Sequence, residues 1–351
     1  MIIITNMLPR TISAFSVVGL VLSGIAGALL AQAPQQPATQ NPPAEQEPTI
    51  RVNVELVNVY FTVKTKKGGQ LIPNLTKDDF KVYEDGKEQT IQRFSRETDL
   101  PLTLGLLIDI SASQERLIDI EREAASSFFS SVIRPKDEAF LISFGKDTVL
   151  LQDFTNSARQ LTSAMADLRG DGQIPSGGGP IPNTGPVPTM GAPKGTLLFD
   201  AVYLASNEKL KSEVGRKALI LITDGEDQGS TNTWHSAIES AQKADAIIYS
   251  IYYVDRGFYA AAGMFGGGGE GDLKHLSSET GGHVFTVDKK HPLSETFQRI
   301  QEELRNQYSI GYQSTNPARD GKFRRLEIKT KDADYQVQAR NGYYATPTDA
   351  Q

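Results

Sequence analysis

Leu104-Gly105-Leu106-Leu107-Ile108-Asp109-Ile110-Ser111-Ala112-Ser113 is the stretch that decides the fold. Its apolar run leaves no position for an exposed face, so it reads as a strand buried on both sides, as in a parallel sheet. The run ends abruptly in Asp-x-Ser-x-Ser, one carboxylate and two hydroxyls spaced two apart. Leu117, Ile120, Ala124, Phe128 and Val132 then recur at three- and four-residue steps, the period of an amphipathic helix. Oxygen donors at the carboxyl end of a central strand stand where open α/β sheets bind their ligands. Hard and mostly neutral oxygens suit Mg²⁺, which takes octahedral oxygen coordination and keeps waters.

Two later segments extend this pattern. Gly195-Thr196-Leu197-Leu198-Phe199-Asp200-Ala201 puts a threonine at the start of a further helical pattern. Lys217-Ala218-Leu219-Ile220-Leu221-Ile222-Thr223-Asp224-Gly225 repeats the design of a buried strand ending in a carboxylate, followed by a turn glycine. Read singly, Thr196 and Asp224 are helix caps. As an ordered set, the segments resemble the metal-ion-dependent adhesion site of the von Willebrand factor type A (vWA) family, over residues 102–307.

That resemblance implies a doubly wound, mostly parallel Rossmann-like α/β sheet. It places five metal-ligand positions on Asp109, Ser111, Ser113, Thr196 and Asp224. It also implies Mg²⁺ as the cation, with Mn²⁺ and Ca²⁺ as alternatives. Few direct anionic ligands leave such a cation electrophilic, and an open position then takes a Glu or Asp carboxylate from a protein partner, with no bond-breaking step. Arg116 and Leu117 stand where integrin β chains carry the acidic position of an adjacent second metal. Glu226 and Asp227, beside Asp224, read as exposed loop acids.

Outside this region the chain changes character. Arg10 is the only charge before Glu45, an apolar run follows it to Leu30, and Ala31-Gln32-Ala33 offers small residues for cleavage. Residues 1–33 therefore read as a secretory signal peptide, with an uncleaved membrane anchor as the alternative. Residues 34–50, rich in Pro and Gln, read as a flexible linker. The chain has no cysteine, hence no disulfide and no thiol for a lipid anchor. Its net charge of −6 with no long basic run argues against nucleic acid and anionic membrane as partners. These features together predict an exported protein of the periplasm, cell envelope or extracellular space.

From residue 51 the pattern is β: Val52, Val54 and Leu56 alternate, and Val57, Val59, Phe61 and Val63 alternate in the opposite phase. Phe80 and Val82 mark another strand, and Asp85-Gly86 is a hairpin signal leading into residues 89–94. These strands are too few to close a core. The complement lies beyond the α/β region, in Tyr308, Ile310 and Tyr312, in residues 323–329, and in Tyr335, Val337 and Ala339. The two flanks are thus expected to pair into one β-sandwich, residues 51–100 with 308–345, into which a vWA domain of residues 101–307 is inserted; residues 346–351 are a tail. This layout resembles the hybrid and adhesion domains of integrin β chains, and the vWA-related exported proteins of acidobacteria. Two Gly-rich loops, 170–195 and 263–271, interrupt the α/β region near the predicted ligands.

Enzyme chemistry finds little support. There is no Gly-x-Ser-x-Gly elbow and no cysteine nucleophile, and His235, His275, His283 and His291 lack metal-ligand spacing. No small-molecule substrate is indicated. A Mg²⁺-dependent hydrolase using Asp109 as nucleophile is weakened by Ser111, since such phosphatases usually carry a second Asp there. The chain is therefore expected to be a metal-dependent protein-binding module, not an enzyme, and a scaffold subunit of an envelope complex is the alternative. Trp234, Phe258, Tyr259 and Phe265 are the aromatics expected near the rim of the site.

Overall fold

The computed structural model describes residues 56–96, 100–170, 195–261 and 268–345. All of these belong to one compact unit, Asn53–Gln351. The expected signal segment, the linker, the tail, most of the loop at 170–195 and Phe265 lie outside the described residues. No helix among the described residues is long and apolar enough to cross a membrane.

The first flank supplies β1 (Val57–Thr65), β2 (Phe80–Glu84), β3 (Lys87–Gln89) and β4 (Ile91–Arg96). The α/β region follows as β5 (Leu102–Asp109), α1 (Ile118–Val132), β6 (Glu138–Phe144), β7 (Thr148–Thr155), α2 (Ala158–Ala166), α3 (Leu198–Leu204), β8 (Arg216–Thr223), α4 (Trp234–Lys243), β9 (Ala246–Tyr252), α5 (Arg256–Ala261), α6 (Glu270–Thr280), β10 (Val284–Thr286) and α7 (Leu293–Arg305). The second flank returns as β11 (Tyr308–Tyr312), β12 (Phe323–Thr330), β13 (Tyr335–Ala339) and β14 (Gly342–Tyr344).

The central sheet has six strands in the order β10-β9-β8-β5-β6-β7. Every pair is parallel except β6 with β7, the edge strand. Counted within this region alone, the order is the doubly wound 3-2-1-4-5-6, whose direction reverses between its first and fourth strands, here β5 and β8. β5 and β8 are buried at every position. Residues of opposite parity feed opposite cores. Leu104, Leu106, Ile108, Ile220 and Ile222 pack with Phe128, Phe129, Leu161 and Phe297 from α1, α2 and α7. Leu107, Leu219 and Leu221 pack with Leu198, Val202, Ala237 and Leu273 from α3, α4 and α6.

The sequence-based α1 is shifted in face. Its buried residues are Ile118, Glu121, Ala124, Ala125, Phe128, Phe129 and Val132, while Ile120 is half exposed. The helical pattern that begins at Thr196 is α-helical over Leu198–Leu204 and continues with π-type bonding over Ala205–Leu210. α5 has no counterpart in the sequence reading.

Two four-stranded sheets, β13-β1-β11-β4 and β14-β12-β2-β3, draw on both flanks. β1 pairs antiparallel with β11 and with β13, and β11 pairs with β4. Val59, Phe61, Val63, Phe80, Val82, Ile310, Tyr312 and Ile328 form their shared core. The run at 89–94, read as one strand, is split at Thr90, where the chain passes from β3 in one sheet to β4 in the other. Asp85 and Gly86, with φ of 47° and 80°, make the expected hairpin turn between β2 and β3.

The α/β region joins the flanks through buried polar contacts. Arg216 donates to the carbonyl of Leu100, where the chain runs into β5, and to the carbonyl of Leu304 and the amide oxygen of Gln307, where it leaves α7. Lys64 on β1 meets Glu303 on α7 at 2.7 Å. Burial, with Lys64 and Arg299 nearby, lowers the pKa of His283 to about 3, so it stays neutral beside that pair.

Gly105 is fixed by packing, because a Cβ there would overlap the Phe140 ring and the Leu219 side chain. Gly105→Ala is therefore expected to destabilise the protein by about 1–3 kcal/mol through overpacking between two immobile strands. Chemical denaturation of the variant beside the wild type measures this.

Candidate metal centre

Parallel pairing of β5 with β8 sets Ile108 opposite Ile222 at the carboxyl ends of the two strands. Asp109 closes β5 and Asp224 follows β8, so both carboxylates stand at the reversal point of the sheet, the crevice where open α/β sheets receive ligands. Both are 0% exposed. Asp109 Oδ1 accepts the Ser111 backbone N–H at 2.9 Å, and its Oδ2 accepts the Thr223 hydroxyl at 2.6 Å. Asp224 Oδ1 accepts the Glu226 N–H at 3.2 Å, and its Oδ2 accepts the Tyr259 hydroxyl at 2.8 Å.

The Ser111 and Ser113 hydroxyls are 3.1 Å apart. Ser113 also reaches the Tyr259 phenol, which links the serine pair to Asp224. Asp109, Ser111, Ser113 and Asp224 are thus joined directly or through one intervening hydroxyl. Thr196 enters by another route. It is buried just before α3, and its carbonyl accepts the Gln228 N–H at 2.8 Å, which ties it to the loop that follows Asp224.

The electrostatics fit a cation. Burial first, and the like charge of Asp224 second, raise the Asp109 carboxyl from the ordinary 3.8 to about 7. Two buried carboxylates at adjacent strand ends, with hydroxyls bonded to them, are an oxygen set of the hard, low-charge kind that hydrated Mg²⁺ takes. Among the described residues no three His, Cys, Asp or Glu side chains stand close enough together to hold a metal. A cation held here would accordingly rely on hydroxyls and water for its remaining positions.

The surrounding loops are organised by acids, among them Glu226 and Asp227, which read from the sequence as exposed. Asp227 accepts the Phe199 N–H at the start of α3 and the hydroxyl and N–H of Ser230. Asp200 accepts the backbone N–H groups of Thr231 and Asn232. Glu226 accepts the Gly268 N–H at 2.6 Å. Beside it, Gly225 (φ 78°) and Gly269 meet backbone to backbone, and a Cβ on Gly225 would lie 2.5 Å from the Gly269 carbonyl oxygen.

Tyr259, expected at the rim, is 8% exposed and lies inside the site on α5. Trp234 opens α4, packs against the core and stacks on His275 with ring centres 5.0 Å apart. Thr223 and Glu121 were not singled out by the sequence reading. The signal for Glu121 is its place in the buried spacing 118, 121, 125, 128, which the register through Ile120 misses.

No protein-family model matches the chain, and no curated relative does. Among solved structures, the conserved hypothetical protein BatB from Bacteroides thetaiotaomicron is 16% identical, with 58% of this chain and 97% of that chain covered and a TM-score of 0.42. Proximal thread matrix protein 1 from the mussel byssus is 13% identical, with 63% and 51% covered and a TM-score of 0.46. A form of that protein with a zinc-occupied MIDAS motif is 14% identical, with 63% and 49% covered and a TM-score of 0.44. At this level of similarity the fold rests on the strand order itself, and the likenesses add nothing to it.

A carboxyl whose folded pKa lies above its unfolded value holds its proton more tightly when folded, so the metal-free protein loses stability as pH rises from about 4 to about 7. Asp109→Asn removes that loss. Without metal, the variant is expected to melt above the wild type at pH 8, with the gap narrowing at pH 5. Thermal melts in EDTA at the two pH values measure the gap.

Proposed function

We propose that this chain is an exported vWA-type binding protein that takes a divalent cation on Asp109, Ser111, Ser113, Thr196 and Asp224 and through it captures a protein partner. The observation that carries this reading is the juxtaposition of two fully buried carboxyl groups at the β5–β8 reversal point, with the Ser111 and Thr223 hydroxyls beside Asp109. Holding them together in a metal-free protein is costly, and a divalent cation offsets that cost.

When bound, Mg²⁺ would supply a Lewis-acidic centre that attracts an anionic oxygen. The residues of the chain do the rest. The Ser111 N–H and Thr223 hydroxyl fix Asp109, and the Glu226 N–H and Tyr259 hydroxyl fix Asp224. Each carboxylate is therefore held in one orientation before any cation arrives, which limits the ordering cost of binding. The partner group proposed is a Glu or Asp carboxylate that completes the coordination shell. Mg²⁺ is preferred over Mn²⁺ and Ca²⁺ in this reading, and catalysis has no part in it. Export is proposed from the apolar N-terminal segment, which reads as a secretory signal.

Two measurements test the reading. Saturating Mg²⁺ is expected to raise the melting temperature over that in EDTA, by mass action on the folded state; a melting temperature indifferent to both removes the metal. Affinity capture from envelope extracts is expected to recover a partner in Mg²⁺, and to lose it in EDTA and with Asp109→Ala. A partner held equally well by Asp109→Ala in EDTA replaces adhesion with the scaffold reading.

A further inference from the structure

Glu121 lies on the buried face of α1, among Ile118, Ala124, Ala125 and Phe128. It is 0% exposed, and neither of its carboxylate oxygens has a hydrogen-bond partner. Gln114, directly after Ser113, is also 0% exposed, and its side-chain nitrogen and oxygen are both without a partner. A buried carboxylate without a hydrogen bond is among the costliest groups a fold can carry, and a buried amide missing both of its bonds adds to that cost. On stability alone an apolar residue of similar size would serve better at either position.

What lies near these groups gives the reason for them. The charges that oppose ionisation of Glu121, after burial itself, are those of Asp109 and Asp224. Gln114 belongs to the same turn as the two serines, and its N–H donates to the Ser111 carbonyl at 2.9 Å. Backbone bonds from Gln114 to Ser111, from Leu117 to Gln114 and from Glu121 to Leu117 make one continuous set of turns, so both residues follow directly on the loop that carries Ser111 and Ser113. Glu121 does not stand close enough to Asp109 and Asp224 to share a metal with them directly. The unmet bonding capacity of the two side chains is matched by water held on a cation: Mg²⁺ dehydrates reluctantly and keeps several waters, and a buried water makes about three hydrogen bonds.

We propose that Gln114 and Glu121 form the outer-sphere wall of the cation site, holding the waters of a hydrated divalent cation. Glu121 accepts from these waters, and Gln114 both donates to them and accepts from them. This inference rests on the cation reading above and extends it from five residues to seven. Both are positioning residues, acting on the cation through water.

The test uses the full chain and Mg²⁺ alone, by calorimetric titration and by melting in EDTA, on wild type, Glu121→Gln and Gln114→Met. Glu121→Gln keeps shape and removes charge, so its metal-free melting temperature is expected to equal or exceed that of the wild type. Its Mg²⁺ association constant is expected to fall about tenfold or more, the usual loss when an outer-sphere partner of a metal is removed. Gln114→Met is expected to lose affinity in the same way, and it decides alone should Glu121→Gln fail to fold. A packing role would instead lower the metal-free melting temperature and leave affinity in place. Wild-type binding with a smaller loss in the variants overturns this inference while leaving the cation reading standing. A wild type that takes up no Mg²⁺ overturns both.

Discussion

Two carboxyl groups held out of water at neighbouring strand ends, Asp109 and Asp224, are the constraint around which the α/β region is arranged. Their positions follow from the parallel register of β5 and β8, which places successive strand ends in one crevice. Their orientations follow from four donors drawn from four places: the turn after β5, the last residue of β8, the turn after Asp224, and α5. The segment between β8 and α4 is pinned in turn by carboxylates on backbone N–H groups, Asp227 accepting from Phe199 and Ser230 and Asp200 from Thr231 and Asn232. Polar groups satisfied this fully leave little freedom for the carboxylates to relax apart.

The candidate site was partly legible in the sequence. Asp109, Ser111 and Ser113 stood out because a doubly buried strand has one reason to end in closely spaced oxygens, and that reason is local. Asp224 was legible for the same reason. Thr223 was hidden because it reads as the last residue of a buried strand, and only the neighbouring strand shows what its hydroxyl meets. Glu121 was hidden for a different reason, and for the same reason Tyr259, expected at the rim, stands inside the site. Their burial depends on how α5 folds over the crevice and on which face α1 turns inward, and neither is set by local spacing alone. An acid on an apolar helical face is easily assigned to solvent, so the register through Ile120 was the natural error.

The architecture was more legible than its details. Fully apolar strands alternating with amphipathic helices permit few arrangements, and the right-handed crossover rule reduces them further. The described structure has the doubly wound parallel sheet and a flanking β-sandwich built from both ends of the chain. What escaped were the places where tertiary packing overrides local pattern. The change of sheet at Thr90 depends on partners far away in sequence. The π-type bonding after Leu204 keeps Ala205 and Leu210 in the same core layer as α3.

The pairing of β11 with β4 has a consequence for how the chain reaches this state. The strands that precede and follow the α/β region are hydrogen-bonded neighbours, so that region is suspended from two adjacent points of an otherwise continuous sheet. During synthesis, which proceeds from the amino end, β1 and β4 emerge long before the partner that lies between them. Until α7 is complete, each presents an unpaired edge and half of a hydrophobic core. The α/β region, whose six-stranded sheet is built from its own strands alone, can fold first and bring the two ends together, lowering the entropic cost of closing the sandwich. The part that carries the candidate site is therefore also the scaffold on which the rest of the molecule assembles. A defect in its core is felt as failure of the sandwich to close.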